Sequence, residues 1–76
     1  MKSLDIVLNS IDRIKELIEI TSKFDCDIDL VSDGYIVNAK SILGVLSLDL
    51  KKDLVLNIHD DNIFSDLKNQ LKKFSN

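Results

Sequence analysis

Proline is absent and glycine occurs only twice in the 76 residues, so turn punctuation is scarce and organisation must be read from periodicity. One cysteine, Cys26, excludes an internal disulfide framework and any multi-cysteine zinc site. No apolar run approaches the roughly 18 residues of a spanning helix. Met1-Lys2-Ser3 leads into no signal-type apolar region, so a cytoplasmic address without membrane insertion is expected. Positive charge is the scarcer sign: ten Lys and Arg against 13 Asp and Glu give a net charge of -3 and a pI near 4.9. That balance argues against direct binding of nucleic acid or an anionic membrane surface, since both select for clustered Lys and Arg. Histidine occurs once, as His59.

What remains is ordinary globular material. Hydrophobic residues make up 45% and charged residues 30%, enough for one core and too short for two, so residues 1–76 are expected to form a single domain. No linker, repeat or low-complexity segment interrupts it.

Leu4, Ile6 and Leu8 alternate with Asp5, Val7 and Asn9, as in a half-buried strand. Ser10 is a good N-cap for the helical pattern that follows. At 100° per residue, Ile11, Ile14, Leu17, Ile18, Thr21 and Phe24 share one stripe, opposite Asp12, Lys15, Glu16, Glu19 and Lys23. The whole stripe is predicted to face the core.

Asp25, Asp27 and Asp29 then alternate with Cys26, Ile28 and Leu30, predicting a strand with its carboxylates in water. Asp33-Gly34 is a strong hairpin signal, and Tyr35-Ile36-Val37 reads as the return strand. A short helix is predicted from Ser41. Ile42, Leu43, Leu46 and Leu50 form one apolar face, with Val45 and Leu48 on the other side. A helix that is apolar nearly all round is either fully buried or exposes one side to a partner, and complete burial is hard in so small a domain. Leu54, Leu56 and Ile58 alternate with Val55, Asn57 and His59 in a fourth strand. Asp60, Asp61 and Asn62 are candidate caps for a last helix carrying the stripe Ile63, Phe64, Leu67, Leu71 and Phe74. The predicted order is β-α-β-β-α-β-α, an α+β sandwich whose sheet has helices on one face.

The run Val37-Asn38-Ala39-Lys40-Ser41-Ile42-Leu43-Gly44-Val45-Leu46-Ser47-Leu48, with Thr21-Ser22-Lys23-Phe24-Asp25 and the Asp33-Gly34 turn before it, resembles the HPr family. These are the small phosphocarriers of the bacterial phosphoenolpyruvate-dependent sugar phosphotransferase system. The resemblance is ungapped from about Ile20 to Leu56. It implies an open-faced β-sandwich of four antiparallel strands with three helices on one face, and a binding protein rather than an enzyme. No cofactor and no metal are implied.

The resemblance also locates a departure. Family phosphocarriers hold a His within a Gly-(Leu/Ile)-His-Ala-Arg-Pro loop before the first helix, whereas this chain reads Val7-Leu8-Asn9-Ser10-Ile11-Asp12-Arg13. An ungapped count from Ser22 puts Ser10 at the His position and Asp12 at the Arg position, with Arg13 one residue further. Matching the first strand instead calls for a loop about three residues shorter. An imidazole gives a labile phosphoramidate that a serine ester does not, so the change bears directly on phosphoryl transfer.

Elsewhere the resemblance implies retained features. Ser41 matches the family's regulatory serine, phosphorylated by HPr kinase/phosphorylase, and Ile42, Leu43 and Leu46 match its partner-docking patch. The implied partners are that kinase, a catabolite-control regulator or phosphotransferase-system proteins. The paralogue Crh also lacks the phosphorylatable His and keeps the serine motif. Two other readings stay open at this point: a phosphocarrier with an unorthodox acceptor such as His59, and a fold-only interaction module, monomeric or weakly homodimeric through the second helix. His59 itself reads as an ordinary strand-end residue, Cys26 as a small core residue, and Asp25, Asp27 and Asp29 as a solvated face rather than a cation site.

Overall fold

A computed structural model describes residues 2–74. Its elements are β1 (Lys2–Ile6), α1 (Ile11–Thr21), β2 (Ile28–Ser32), β3 (Tyr35–Asn38), α2 (Ile42–Leu46), β4 (Leu54–Ile58) and α3 (Phe64–Gln70). Single 3₁₀ turns at Asp61–Ile63 and Lys72–Phe74 flank α3. The four strands form one antiparallel sheet in the order β1-β4-β2-β3, with the three helices on one face.

Period-2 alternation explains the two faces. Leu4, Leu56, Leu30 and Val37 are register partners in one row across the sheet and point toward the helices. The next row, Ser3, Asn57, Asp29 and Asn38, is polar and turns to water; there the Ser3 hydroxyl donates to Asn57 Oδ1 over 2.8 Å. Above the apolar rows sit Ile14 and Leu17 of α1, Val45 of α2, and Leu67, Leu71 and Phe74 at the end of the chain, all buried.

The β2–β3 turn forms as its residues require, with Asp33 at φ 46° and Gly34 at φ 86°, both in the left-handed region that two-residue hairpins use. Ser10 caps α1, its Oγ accepting from the Arg13 N–H over 3.2 Å.

Several expectations need correction: β1 ends at Ile6 and α2 at Leu46, short of the Leu8 and Leu50 that their apolar patterns included. Ile11 is not core but 56% exposed: it is the first residue of α1, and the stripe runs off the covered sheet there. β2 begins only at Ile28, so Asp25, Cys26 and Asp27 lie in the connection from α1, and Cys26 is half-buried. The last helical stripe is broken into turn, helix and turn rather than one helix, because Asp60 caps the first 3₁₀ turn through the Asn62 N–H and no side chain caps α3 itself.

Candidate functional site

The segment Asn38–Ser41 leaves the sheet edge and is held on several sides. Asn38 Oδ1 accepts from the Lys40 N–H over 2.9 Å, a local turn that Asn side chains favour. The Ala39 N–H donates to the Ile28 carbonyl over 2.9 Å. From α1, the buried Thr21 hydroxyl lies 2.9 Å from the Leu17 carbonyl and 3.2 Å from the Ala39 carbonyl, bridging the helix end to this segment. Lys40 Nζ donates to the Phe24 carbonyl. Thr21→Val keeps the shape and removes the bridge. It should cost about 1 kcal/mol in a urea melt, and the Ser41 and Gly44 amide resonances should shift with it.

Ser41 follows this anchored segment and is exposed. Its Oγ caps α2, accepting from the Gly44 N–H over 3.2 Å. Gly44 permits a close approach, since a Cβ there would lie 3.3 Å from Val37 Cβ and 3.4 Å from Ser41 Oγ. Only Val45 of α2 is buried. Ile42, Leu43 and Leu46 are 44%, 79% and 45% exposed, so the outer side of α2 presents apolar surface to water.

That surface extends beyond what the sequence indicated. Leu46 also lines an open groove of about 610 Å³, together with Val7, Ile11, Ile14 and Leu50, running from the Ser10 end of α1 to the exit of α2. Val7 and Ile11 were the missed contributors, whereas Leu50 shares the apolar face read for Leu46 in the sequence. A signal existed for Ile11, since a residue directly after an N-cap sits at the rim of whatever its helix covers.

Ser10, Asp12 and Arg13 lie together in the first turn of α1. Arg13 does not point at that helix end. Its Nη1 donates to the Lys73 carbonyl over 3.1 Å, and its guanidinium lies 5.3 Å from the centre of the Phe74 ring. One turn on, Glu16 pairs with Lys73. Hydrogen bonding from that ammonium is the main cause holding the Glu16 carboxyl below its usual range.

His59 is not part of the groove lining. It directly follows β4, its N–H donating to the Asp27 carbonyl over 3.2 Å and its Nε2 lying 2.9 Å from Asp29 Oδ2 on the open face of the sheet. Among the described residues, no cluster of three or more His, Cys, Asp and Glu side chains is placed to hold a metal ion. No helix among them is long and apolar enough to cross a membrane.

A family model described as the PTS HPr component phosphorylation site matches residues 13–64. The chain belongs to the HPr family. The matched span contains Ser41 and the whole of α2, and starts just after Ser10 and Asp12. Solved structures give the same fold. HPr-C-His from Thermoanaerobacter tengcongensis superposes with a TM-score of 0.78 at 24% identity, over 96% of this chain and 93% of that one. HPr from Bacillus anthracis gives 0.74 at 21% identity, over 97% and 94%. Crh from Bacillus subtilis, described as a swapped dimer, gives 0.65 at 23% identity, over 96% and 88%. The HPr architecture thus accounts for both the antiparallel sheet and the positions of the three helices.

Proposed function

We propose that this HPr-family protein is a non-catalytic regulatory binding protein that acts through Ser41 and the adjoining apolar surface of Ile42, Leu43 and Leu46, in carbon catabolite regulation. The observation that carries the proposal is the pairing of an exposed serine hydroxyl with three exposed apolar side chains on one short helix whose single buried residue is Val45. Water-exposed Leu and Ile clustered this way favour burial against a partner. A phosphate on Ser41 would add about −1.5 to −2 charge at the edge of that surface, which changes what can dock there.

The start of α1 supports binding over phosphoryl transfer. Ser10, not an imidazole, stands at the N-cap, and Asp12 beside it would repel a phosphoryl group. Arg13 is already engaged with the 72–74 turn. His59 hydrogen-bonds an aspartate at a strand end on the open sheet face.

The test is incubation with ATP and HPr kinase/phosphorylase followed by mass spectrometry. Parent protein should gain one phosphate on Ser41, and Ser41→Ala should gain none. An unmodified parent would remove the main support. In parallel, phosphoenolpyruvate with enzyme I should leave no acid-labile adduct on parent or His59→Ala; an adduct lost only in His59→Ala would replace this reading with that of a phosphocarrier. Self-association is a second reading, favoured by the apolar outer side of α2 and by the dimer described for Crh. Light scattering that gave a dimer in the parent and a monomer in Leu43→Asp would support it.

A further inference from the structure

Four contacts converge on the 3₁₀ turn Lys72–Phe74 from the strand–helix junction at the other end of the sequence. The Val7 N–H donates to the Phe74 carbonyl over 2.6 Å. Arg13 Nη1 reaches the Lys73 carbonyl, the Arg13 guanidinium covers the Phe74 ring, and Lys73 pairs with Glu16. The Phe74 side chain is itself sunk in the core, 1% exposed, so the turn is a fixed point rather than a loose tail.

The positions of these contacts matter. The β1 ladder with β4 ends at Ile6, so the Val7 N–H lies beyond the sheet register. The Phe74 carbonyl meets it instead. Arg13 and Glu16 lie on the first two turns of α1. The contacts therefore bracket the Val7–Ile11 segment on both sides, and Val7 and Ile11 are walls of the apolar groove.

We infer that the 72–74 turn is a clasp that sets the position of the Val7–Ile11 wall, with Arg13 as its positioning residue. Arg13 suits the role because a planar guanidinium donates to a carbonyl and stacks on an aromatic ring at the same time, which a lysine ammonium does not reproduce. Opening the clasp would let the β1–α1 loop move and would alter the groove without unfolding the sheet, since the β2–β3 hairpin and the β2–β4 ladder share none of these contacts. The consequence for partners rests on the docking role proposed above; the clasp itself does not.

The experiment is amide hydrogen exchange by NMR on the full chain, comparing parent, Arg13→Ala and Arg13→Lys. No partner is needed, so a failed docking reading and a failed clasp give different results. Exchange at the Val7 amide should rise about tenfold in Arg13→Ala, the response to loosening one local closure, and the Ile11 methyl resonances should move. Amides of Val31 and Val37 in the hairpin should keep their parent rates. Arg13→Lys should fall between the two. Unchanged protection at Val7 would overturn the inference. Equal acceleration at Val7, Val31 and Val37 would also overturn it, because that is global destabilisation rather than release of a clasp.

Discussion

Leu67→Ala should lower the unfolding free energy by about 2–5 kcal/mol, a large share of the stability available to a domain of this size. Leu67 is 0% exposed on α3 and packs in the core cluster, where truncation leaves a cavity that the surrounding side chains cannot fill without moving. Urea denaturation followed by circular dichroism measures the loss, and a shift in midpoint at constant slope identifies it as stability. Leu43→Ala is the matched comparison: the same atoms are removed from a residue that is 79% exposed, and the cost should stay within about 0.5 kcal/mol. An equal loss at both positions would mean that the outer side of α2 is packed in solution, and the docking surface would disappear with that result.

Gly34→Val should cost about 2 kcal/mol, for a reason unrelated to packing. Gly34 sits at φ 86°, where a β-branched residue is strained, yet a Cβ built there meets nothing within 4 Å. The penalty is therefore one of backbone conformation alone. Gly34→Asn should recover much of it, because Asn tolerates the left-handed region. If Asn and Val were equally costly in the same denaturation assay, side-chain clash rather than conformation would be responsible, and the turn geometry would need revision.

Most of the architecture was legible because each strand keeps one apolar face and the helices carry compact stripes. Leu54, Leu56 and Ile58 alternate with half-buried neighbours along β4, and Ile14, Leu17 and Thr21 of α1 are buried as their spacing requires. The split of α2 into an inner Val45 and an outer Ile42, Leu43 and Leu46 was equally visible, since no arrangement of so short a helix buries all four. Strand order was not legible: nothing in the alternation of β4 says that it lies between β1 and β2. Nor was the engagement of Arg13, because a surface arginine's partner is chosen by which distant backbone carbonyl the fold brings near, here that of Lys73. Ile11 was misplaced because periodicity gives the direction in which a side chain points but not how far the covering layer extends.

The place of β1 in the sheet has a consequence for the order of folding. Among the described residues its one ladder partner is β4, from which α1, β2, β3 and α2 separate it in the chain, whereas β2 and β3 are joined by a two-residue turn. Closing so long a loop costs chain entropy before any ladder hydrogen bond forms, so the hairpin is expected to appear early and the β1–β4 ladder last. On the ribosome the first strand made must wait for the last strand before it can pair. Through that interval β1 keeps the edge that will meet β4 unpaired, and completion of the sheet is expected to wait on its first and last strands.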